Sequence, residues 1–219
     1  WPYSRAQRPK QFLDVLNTGK TLIQLTVERY LKICPIEHIF ILTNEDYIDL
    51  VKEQIPNIKD DQILAEPVRR NTAPCISYVS QKIQKNDADA KIIVSPSDHL
   101  ILKEDKFLKT IEHALNFIEH NDVLLTMGIE PTRPDTGYGY IQHKGEAKDK
   151  VFKVKAFTEK PEKELAKTFI KSGDFLWNSG TFIWRSQTIN KAIKQYIPEV
   201  HEAIASCEDQ FFTEKETQA

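Results

Sequence analysis

Lys91-Ile-Ile-Val-Ser-Pro-Ser-Asp-His99 begins as an unbroken apolar run and turns abruptly polar at a proline. A short continuous run of this kind, bounded by turn formers, reads as a strand covered on both faces. His38-Ile-Phe-Ile-Leu-Thr43 and Asp122-Val-Leu-Leu-Thr-Met127 have the same texture. Helical patterns separate the three. Ile23, Val27, Tyr30, Leu31 and Cys34 recur at helix spacing, and Pro35 stops that helix. Ala73 to about Gln84 reads as a helix with Pro74 in its first turn, where a missing N–H costs nothing. Phe107, Ile111, Ala114, Leu115 and Ile118 form an apolar stripe within 104–119. Strands alternating with such helices predict a mostly parallel sheet flanked by helices. Such sheets bind ligands beyond the carboxyl ends of their strands, here after Thr43, Val94 and Met127.

Beyond Gly128 the texture changes. Tyr138–His143 and Val151–Phe157 read as an antiparallel ribbon with Gly145 near its turn. A helix from Pro161 to about Lys171, a strand Thr181–Trp184 and helices at 189–196 and 199–206 follow, and the polar stretch 208–219 reads as a mobile tail. With no repeat and no linker, a single domain is expected, roughly 1–128 for one half and 129–207 for the other.

The 219 residues are 40% hydrophobic and 28% charged, which excludes a disordered chain. No run approaches the length of a membrane span. The net charge of −2 gives no global field for nucleic acid, so an anionic ligand must be met by a local basic cluster. Cys34, Cys75 and Cys207 are odd in number and widely spaced, which fits reduced thiols, and with no signal-peptide pattern a cytoplasmic setting is expected.

Six segments carry candidate chemistry. Trp1-Pro-Tyr-Ser-Arg-Ala-Gln-Arg-Pro-Lys-Gln-Phe12 places Arg5, Arg8 and Lys10 in one loop, suited to phosphates or simply to solvent. Glu66-Pro-Val-Arg-Arg-Asn-Thr-Ala-Pro74 opens a helix, with Asn71 or Thr72 as N-cap and free N–H groups at a positive end. Asp98, at the exit of the 91–95 strand, stands where a carboxylate for Mg²⁺ belongs; His99 beside it reads more readily as structural. Pro134-Asp-Thr-Gly-Tyr-Gly-Tyr-Ile141 permits close backbone approach to a ligand or forms a hairpin turn. In Phe157-Thr-Glu-Lys-Pro161, Glu159 and Lys160 suit a sugar hydroxyl and a phosphate, or form an ordinary surface pair. Trp177-Asn-Ser-Gly-Thr-Phe182 sets Asn178 between an aromatic ring and a strand, or makes a buried turn. Dinucleotide, P-loop, zincin and α/β-hydrolase motifs do not occur.

Taken in order, W-P-x-S-R-x-x-x-P-K-Q-F, E-P-x-x-R-N-T-A-P, S-D-H, P-x-T-G-Y-G-Y-I, F-x-E-K-P and W-N-S-G-x-F resemble the bacterial mannose-1-phosphate guanylyltransferases, a family of sugar nucleotidyltransferases. The likeness runs from Trp1 to about Trp184. It implies a Rossmann-like sheet with an antiparallel sugar-binding extension. It implies attack of mannose 1-phosphate on the α-phosphorus of GTP, giving GDP-mannose and pyrophosphate with Mg²⁺. By this resemblance Arg5 and Lys10 are triphosphate-side cations, and Glu66, Arg70, Asn71 and Thr72 belong to the nucleoside pocket. Asp98 is the metal ligand, Gly137 and Tyr138 meet sugar or nucleoside, Glu159 reads mannose hydroxyls, Lys160 clamps the sugar phosphate and Asn178 completes the sugar pocket. The catalytic set so implied is Arg5, Lys10, Asp98 and Lys160. A homodimer, no membrane or nucleic-acid partner and a role in polysaccharide biosynthesis are expected with it.

The family's glycine-rich G-G-x-G-T-R-L loop precedes W-P and a second metal-binding Asp follows later; neither is in this sequence, so a longer protein is expected. Two other classes remain in view. One is the same chemistry on another sugar 1-phosphate or nucleoside triphosphate. The other is a non-catalytic paralogue that binds a sugar nucleotide and regulates a partner.

Overall fold

The computed structural model describes residues 4–5, 7–66, 72–213 and 216. In chain order its elements are α1 (Leu22–Tyr30), β1 (Ile41–Asn44), α2 (Ile48–Gln54), β2 (Ile63–Glu66), α3 (Thr72–Asn86), β3 (Lys91–Val94) and α4 (Glu104–His120). There follow β4 (Leu125–Ile129), β5 (Tyr140–Lys148), β6 (Val151–Thr158), α5 (Lys163–Ser172), β7 (Phe175–Arg185), α6 (Ser186–Tyr196) and α7 (Pro198–Ala205). Among the described residues no helix is long and apolar enough to cross a membrane. The fold is mixed α/β, and the chain divides into two compact units.

Unit one comprises the described residues of Trp1–Ile92, Pro96–Leu124 and Trp184–Ala219. Its α1 begins in a capping box, in which the Thr21 N–H donates to Gln24 Oε1 at 2.9 Å. Of the apolar stripe read from the sequence, Ile23, Val27 and Tyr30 form the buried face of α1, whereas Leu31 is exposed and Cys34 lies beyond the helix. Ile23 and Val27 pack with Phe12, Tyr47, Val51, Ile55, Ile58 and Ile63 in one core cluster. β1 pairs in parallel with β2, Ile41 opposite Ile63 and Asn44 opposite Glu66, so both carboxyl ends lie side by side. The run expected to start a strand at His38 does not ladder until Ile41, because Ile36–His38 is a 3-10 turn. Gln62 explains this, since its amide donates to the carbonyls of Ile36 and Ile39 at 2.5 and 2.7 Å and so occupies them locally.

The 208–216 stretch, expected to be a mobile tail, is docked where it is described. Phe211 is buried against Tyr78 of α3, and Glu216 accepts from Lys82 Nζ at 2.7 Å and from the Tyr78 hydroxyl. A lysine that is only 1% exposed must have such a partner, because an unpaired buried charge is costly.

Unit two comprises Ile93–Ser95 and Leu125–Ile183. Its strands belong to a sheet of order β3-β7-β5-β6, with β4 also paired to β7. The registers of β4 with β7, β5 with β6 and β5 with β7 are antiparallel, as expected for the ribbon of the second half, and the β1–β2 pair is parallel. Tyr140 on β5, Trp177 on β7 and Ala166 and Phe169 on α5 form the core cluster of this unit. The ribbon turn lies at Asp149 and Lys150, both at positive φ (53° and 62°), rather than at Gly145. Trp177-Asn-Ser-Gly lies within β7 instead of forming a turn, its Ser179 and Thr181 buried in strict alternation. The segment from Trp184 on, read from the sequence with the second half, belongs to unit one.

Candidate active site

Site residues occur in each unit, and in each a local reason holds them. In unit one, Phe12 is the anchor. It is 1% exposed in the core, and its carbonyl accepts from Gln54 Nε2 at 3.2 Å. Two positions earlier, at the start of the same 3-10 turn, Lys10 projects outward and its Nζ meets Asp98 Oδ2 at 2.6 Å. Asp98 follows the exit of β3, where Thr26 Oγ1 donates to the Ser97 carbonyl at 3.3 Å and fixes the loop against α1. Arg5 is exposed on a turn closed by reciprocal backbone bonds with Arg8, at 3.2 and 3.0 Å.

His99 Nε2 is 3.9 Å from Asp98 Oδ1. Burial pushes the His99 pKa down, Asp98 opposes this, and Lys10 and Arg29 add to it. The imidazole is therefore neutral at pH 7 and makes no ion pair there. Lys10 is a cation that faces Asp98, and His99 is a neutral neighbour.

Glu66 closes β2. Its carbonyl accepts from Asn44 Nδ2 at 3.0 Å, and its carboxylate accepts from the Cys75 thiol in the first turn of α3. Burial, with Glu66 adding to it, pushes the Cys75 pKa up to about 12, so the sulfur stays protonated and is no nucleophile. Thr72 is the exposed first residue of α3. Arg70 and Asn71 lie outside the described residues.

In unit two, Gly139 is the pivot. A Cβ placed there would come within 2.9 Å of Glu159 Oε2 and 3.6 Å of both Asn178 Cβ and the Thr158 carbonyl. Its own carbonyl accepts from the Asn178 N–H at 2.8 Å. The absent side chain is thus what lets Glu159 and Asn178 converge. Asn178 Oδ1 accepts from the Gly180 N–H at 3.0 Å, which fixes that amide's orientation. Lys160 follows with φ of 36°, a left-handed conformation unusual before a proline, and its Nζ lies 3.3 Å from Glu159 Oε1. Strain of this kind is held in place only where surrounding structure dictates it, and it gathers at ligand sites. Gly137 and the exposed Tyr138 precede Gly139, the Tyr138 ring 5.1 Å from that of Trp177.

Unit one therefore brings together Lys10 and Asp98, and separately Glu66 and Cys75 near Thr72. Unit two brings together Tyr138, Glu159, Lys160 and Asn178 around Gly139. The sequence reading missed Gly139 as the pivot, Cys75 as the partner of Glu66, and Arg133 and Asp135. The paired glycines of Gly-Tyr-Gly were the signal for the first; the others carry no local signature.

Among the described residues no group of three or more His, Cys, Asp or Glu side chains is gathered for a metal ion. Asp98 alone still fits Mg²⁺ in its donor chemistry, because that ion takes one or two carboxylates and completes its shell with water and substrate phosphates.

The chain matches the Nucleotidyl transferase family over residues 1–214. It is 36% identical over 207 residues to a mannose-1-phosphate guanylyltransferase of Salmonella muenchen, covering 93% of this chain and 43% of that protein. The chain thus spans less than half the length of this curated relative. Among solved structures it is similar to one named mannose-1-phosphate geranyltransferase, from Thermus thermophilus. That likeness has a TM-score of 0.86 and 28% identity, covering 95% of this chain and 60% of the other. It is also similar to one named mannose-6-phosphate isomerase, from Helicobacter pylori, with a TM-score of 0.80 and 28% identity, covering 98% and 85%.

Proposed function

Because the chain belongs to the nucleotidyl transferase family, we propose that it carries the active site that transfers GMP from GTP to mannose 1-phosphate. A phosphate oxygen of the sugar phosphate attacks the α-phosphorus of GTP. The bond from that phosphorus to the β-phosphate bridging oxygen breaks, and pyrophosphate leaves with the electron pair. GDP-mannose remains. Such transfers need positioning and charge neutralisation rather than a protein nucleophile.

The observation that carries the reading is the Lys10–Asp98 pair, an exposed cation and a fixed carboxylate at a strand exit. Lys10 and Arg5 neutralise the triphosphate. Asp98 holds Mg²⁺, which when bound draws charge from the phosphate oxygens. The α3 N-terminus, with Thr72, Asn71 and Arg70, receives the nucleoside together with Glu66. Glu159 accepts from sugar hydroxyls, Asn178 stands beside it at Gly139, and Lys160 meets the sugar phosphate. Gly137 and Tyr138 line the sugar side. The same proposal places the protein in the cytoplasm as a dimer, supplying an activated sugar for polysaccharide assembly.

The test is pyrophosphate release by the full-length protein with Mg²⁺, with each nucleoside triphosphate offered against mannose 1-phosphate or glucose 1-phosphate. Release that needs GTP and mannose 1-phosphate together is the expected result. Release with another pair keeps the chemistry and overturns the substrate assignment. Silence with every pair, alongside retained binding of GDP-mannose, replaces the enzyme with a regulatory binder.

A further inference from the structure

Asp135 has every polar group engaged. Its N–H donates to the Arg133 carbonyl at 2.9 Å, and its own carbonyl accepts from the Tyr140 hydroxyl at 2.9 Å. Its Oδ1 accepts from the Gly137 N–H at 2.8 Å, and its Oδ2 accepts from Arg133 Nε and Nη2 at 2.9 and 2.6 Å. Two of these partners lead into the core of unit two. Tyr140 is fully buried beside Trp177, and the Arg133 guanidinium lies 5.3 Å from the centre of the Trp177 ring. The Tyr138 ring leans on that same indole at 5.1 Å.

Without this knot the segment would be loose. Tyr138 sits between two glycines and is 43% exposed, so backbone and burial restrict it little, and its side chain is held by the Trp177 ring and by the Arg133 guanidinium that Asp135 anchors. A substrate that met a loose Tyr138 would have to order the loop on binding, and that cost lowers affinity. Asp135 itself touches no residue placed in direct contact with the sugar except the Gly137 backbone N–H.

We propose that Asp135 is a positioning residue, which with Arg133 holds Gly137 and Tyr138 against Trp177 in the pose that receives the sugar phosphate. The inference rests on the transferase reading above. It assigns to Arg133 a supporting role through Asp135 and the indole, and the orientation is set before substrate arrives.

The experiment compares Asp135→Ala, Asp135→Asn and Arg133→Ala in the full-length protein, by steady-state kinetics and by amide hydrogen exchange over 133–139. Asp135→Ala removes both carboxylate functions and is expected to raise KM for mannose 1-phosphate about tenfold, with KM for GTP and kcat little changed. Asp135→Asn keeps an acceptor for the Gly137 N–H and should restore most of that loss. Arg133→Ala should fall between them. Equal rises in both KM values, or a fall in kcat alone, would overturn the positioning role. If the parent protein turns over no sugar phosphate, the transferase reading fails by itself. Exchange then still decides the knot: faster exchange of 133–139 in Asp135→Ala and not in Asp135→Asn sustains it, and unchanged exchange overturns it.

Discussion

Lys10 Nζ lies 2.6 Å from Asp98 Oδ2, tying the turn after Pro9 to the exit of β3. The lysine is 62% exposed, so solvent screens the pair and it adds little to folding. A cation and a carboxylate held together in the open are instead available to exchange partners. A triphosphate can take the lysine while a divalent cation takes the carboxylate.

Asp98→Asn should therefore separate function from stability. Thermal melting is expected to stay close to that of the parent, while turnover falls by about 100-fold or more. Lys10→Ala should do the same with a rise in KM for the nucleotide. Parallel losses of melting temperature and activity would show that the pair serves the fold.

Gly139→Ala inserts a methyl group 2.9 Å from Glu159 Oε2. The carboxylate end can swing aside, so the fold should survive with only a small loss of stability. The sugar side should not: KM for mannose 1-phosphate is expected to rise about tenfold or more, because a misplaced contact costs far more in recognition than in folding. Unaltered sugar kinetics would separate Glu159 from recognition.

Lys82 and Glu216 allow a test by single and paired substitution. Removing one partner of a buried pair typically costs about 3–5 kcal/mol, so Glu216→Ala should strongly lower the denaturation midpoint. Lys82→Met combined with Glu216→Gln should recover much of that loss. If Glu216→Ala leaves the midpoint unchanged, the tail does not depend on this contact.

The same carboxylate predicts a pH dependence. Burial raises the Glu216 pKa, but bonds from Lys82, Tyr78 and the Phe212 N–H outweigh it and hold the group below the ordinary glutamate value. A depressed folded-state pKa contributes stability above the unfolded value, and that contribution is lost as pH falls through the folded one. Denaturant midpoints should drop on acidification below the usual glutamate range, and the slope should flatten in Glu216→Gln.

Cys75 should resist alkylation. With its pKa near 12 its thiolate fraction at pH 7 is minute, and iodoacetamide labelling followed by mass spectrometry should find it almost unmodified in the folded protein. Glu66→Gln removes a neighbouring negative charge and should speed the labelling. Rapid labelling of the parent would contradict the Glu66–Cys75 contact.

What was legible in the sequence was what repeats or punctuates locally. The β3 run, the α1 stripe and the Pro74 start of α3 each follow from a period or from a residue with one backbone preference. Asp98 and Lys10 were legible as motif members, because strand exits and basic loops carry a physical expectation. Their pairing was not, since nothing local in the chain encodes which distant side chains meet. The delayed start of β1 depends on Gln62 reaching back to Ile36 and Ile39, which no period reveals. Trp177-Asn-Ser-Gly resembled a turn by composition and became the middle of β7, because small residues fit a strand buried on one face. The tail looked mobile because it is polar. Glu216 gains its role there only from partners such as a lysine buried far upstream.

That last contact also bears on the order of events at the ribosome. Residues 125–183, the bulk of unit two, all emerge before Trp184 and the rest of the unit-one return segment. The smaller unit can close as soon as β7 is out, whereas the larger has to wait with Lys82 uncompensated until Glu216 is synthesised. The interior of the chain would then mature before its flanks.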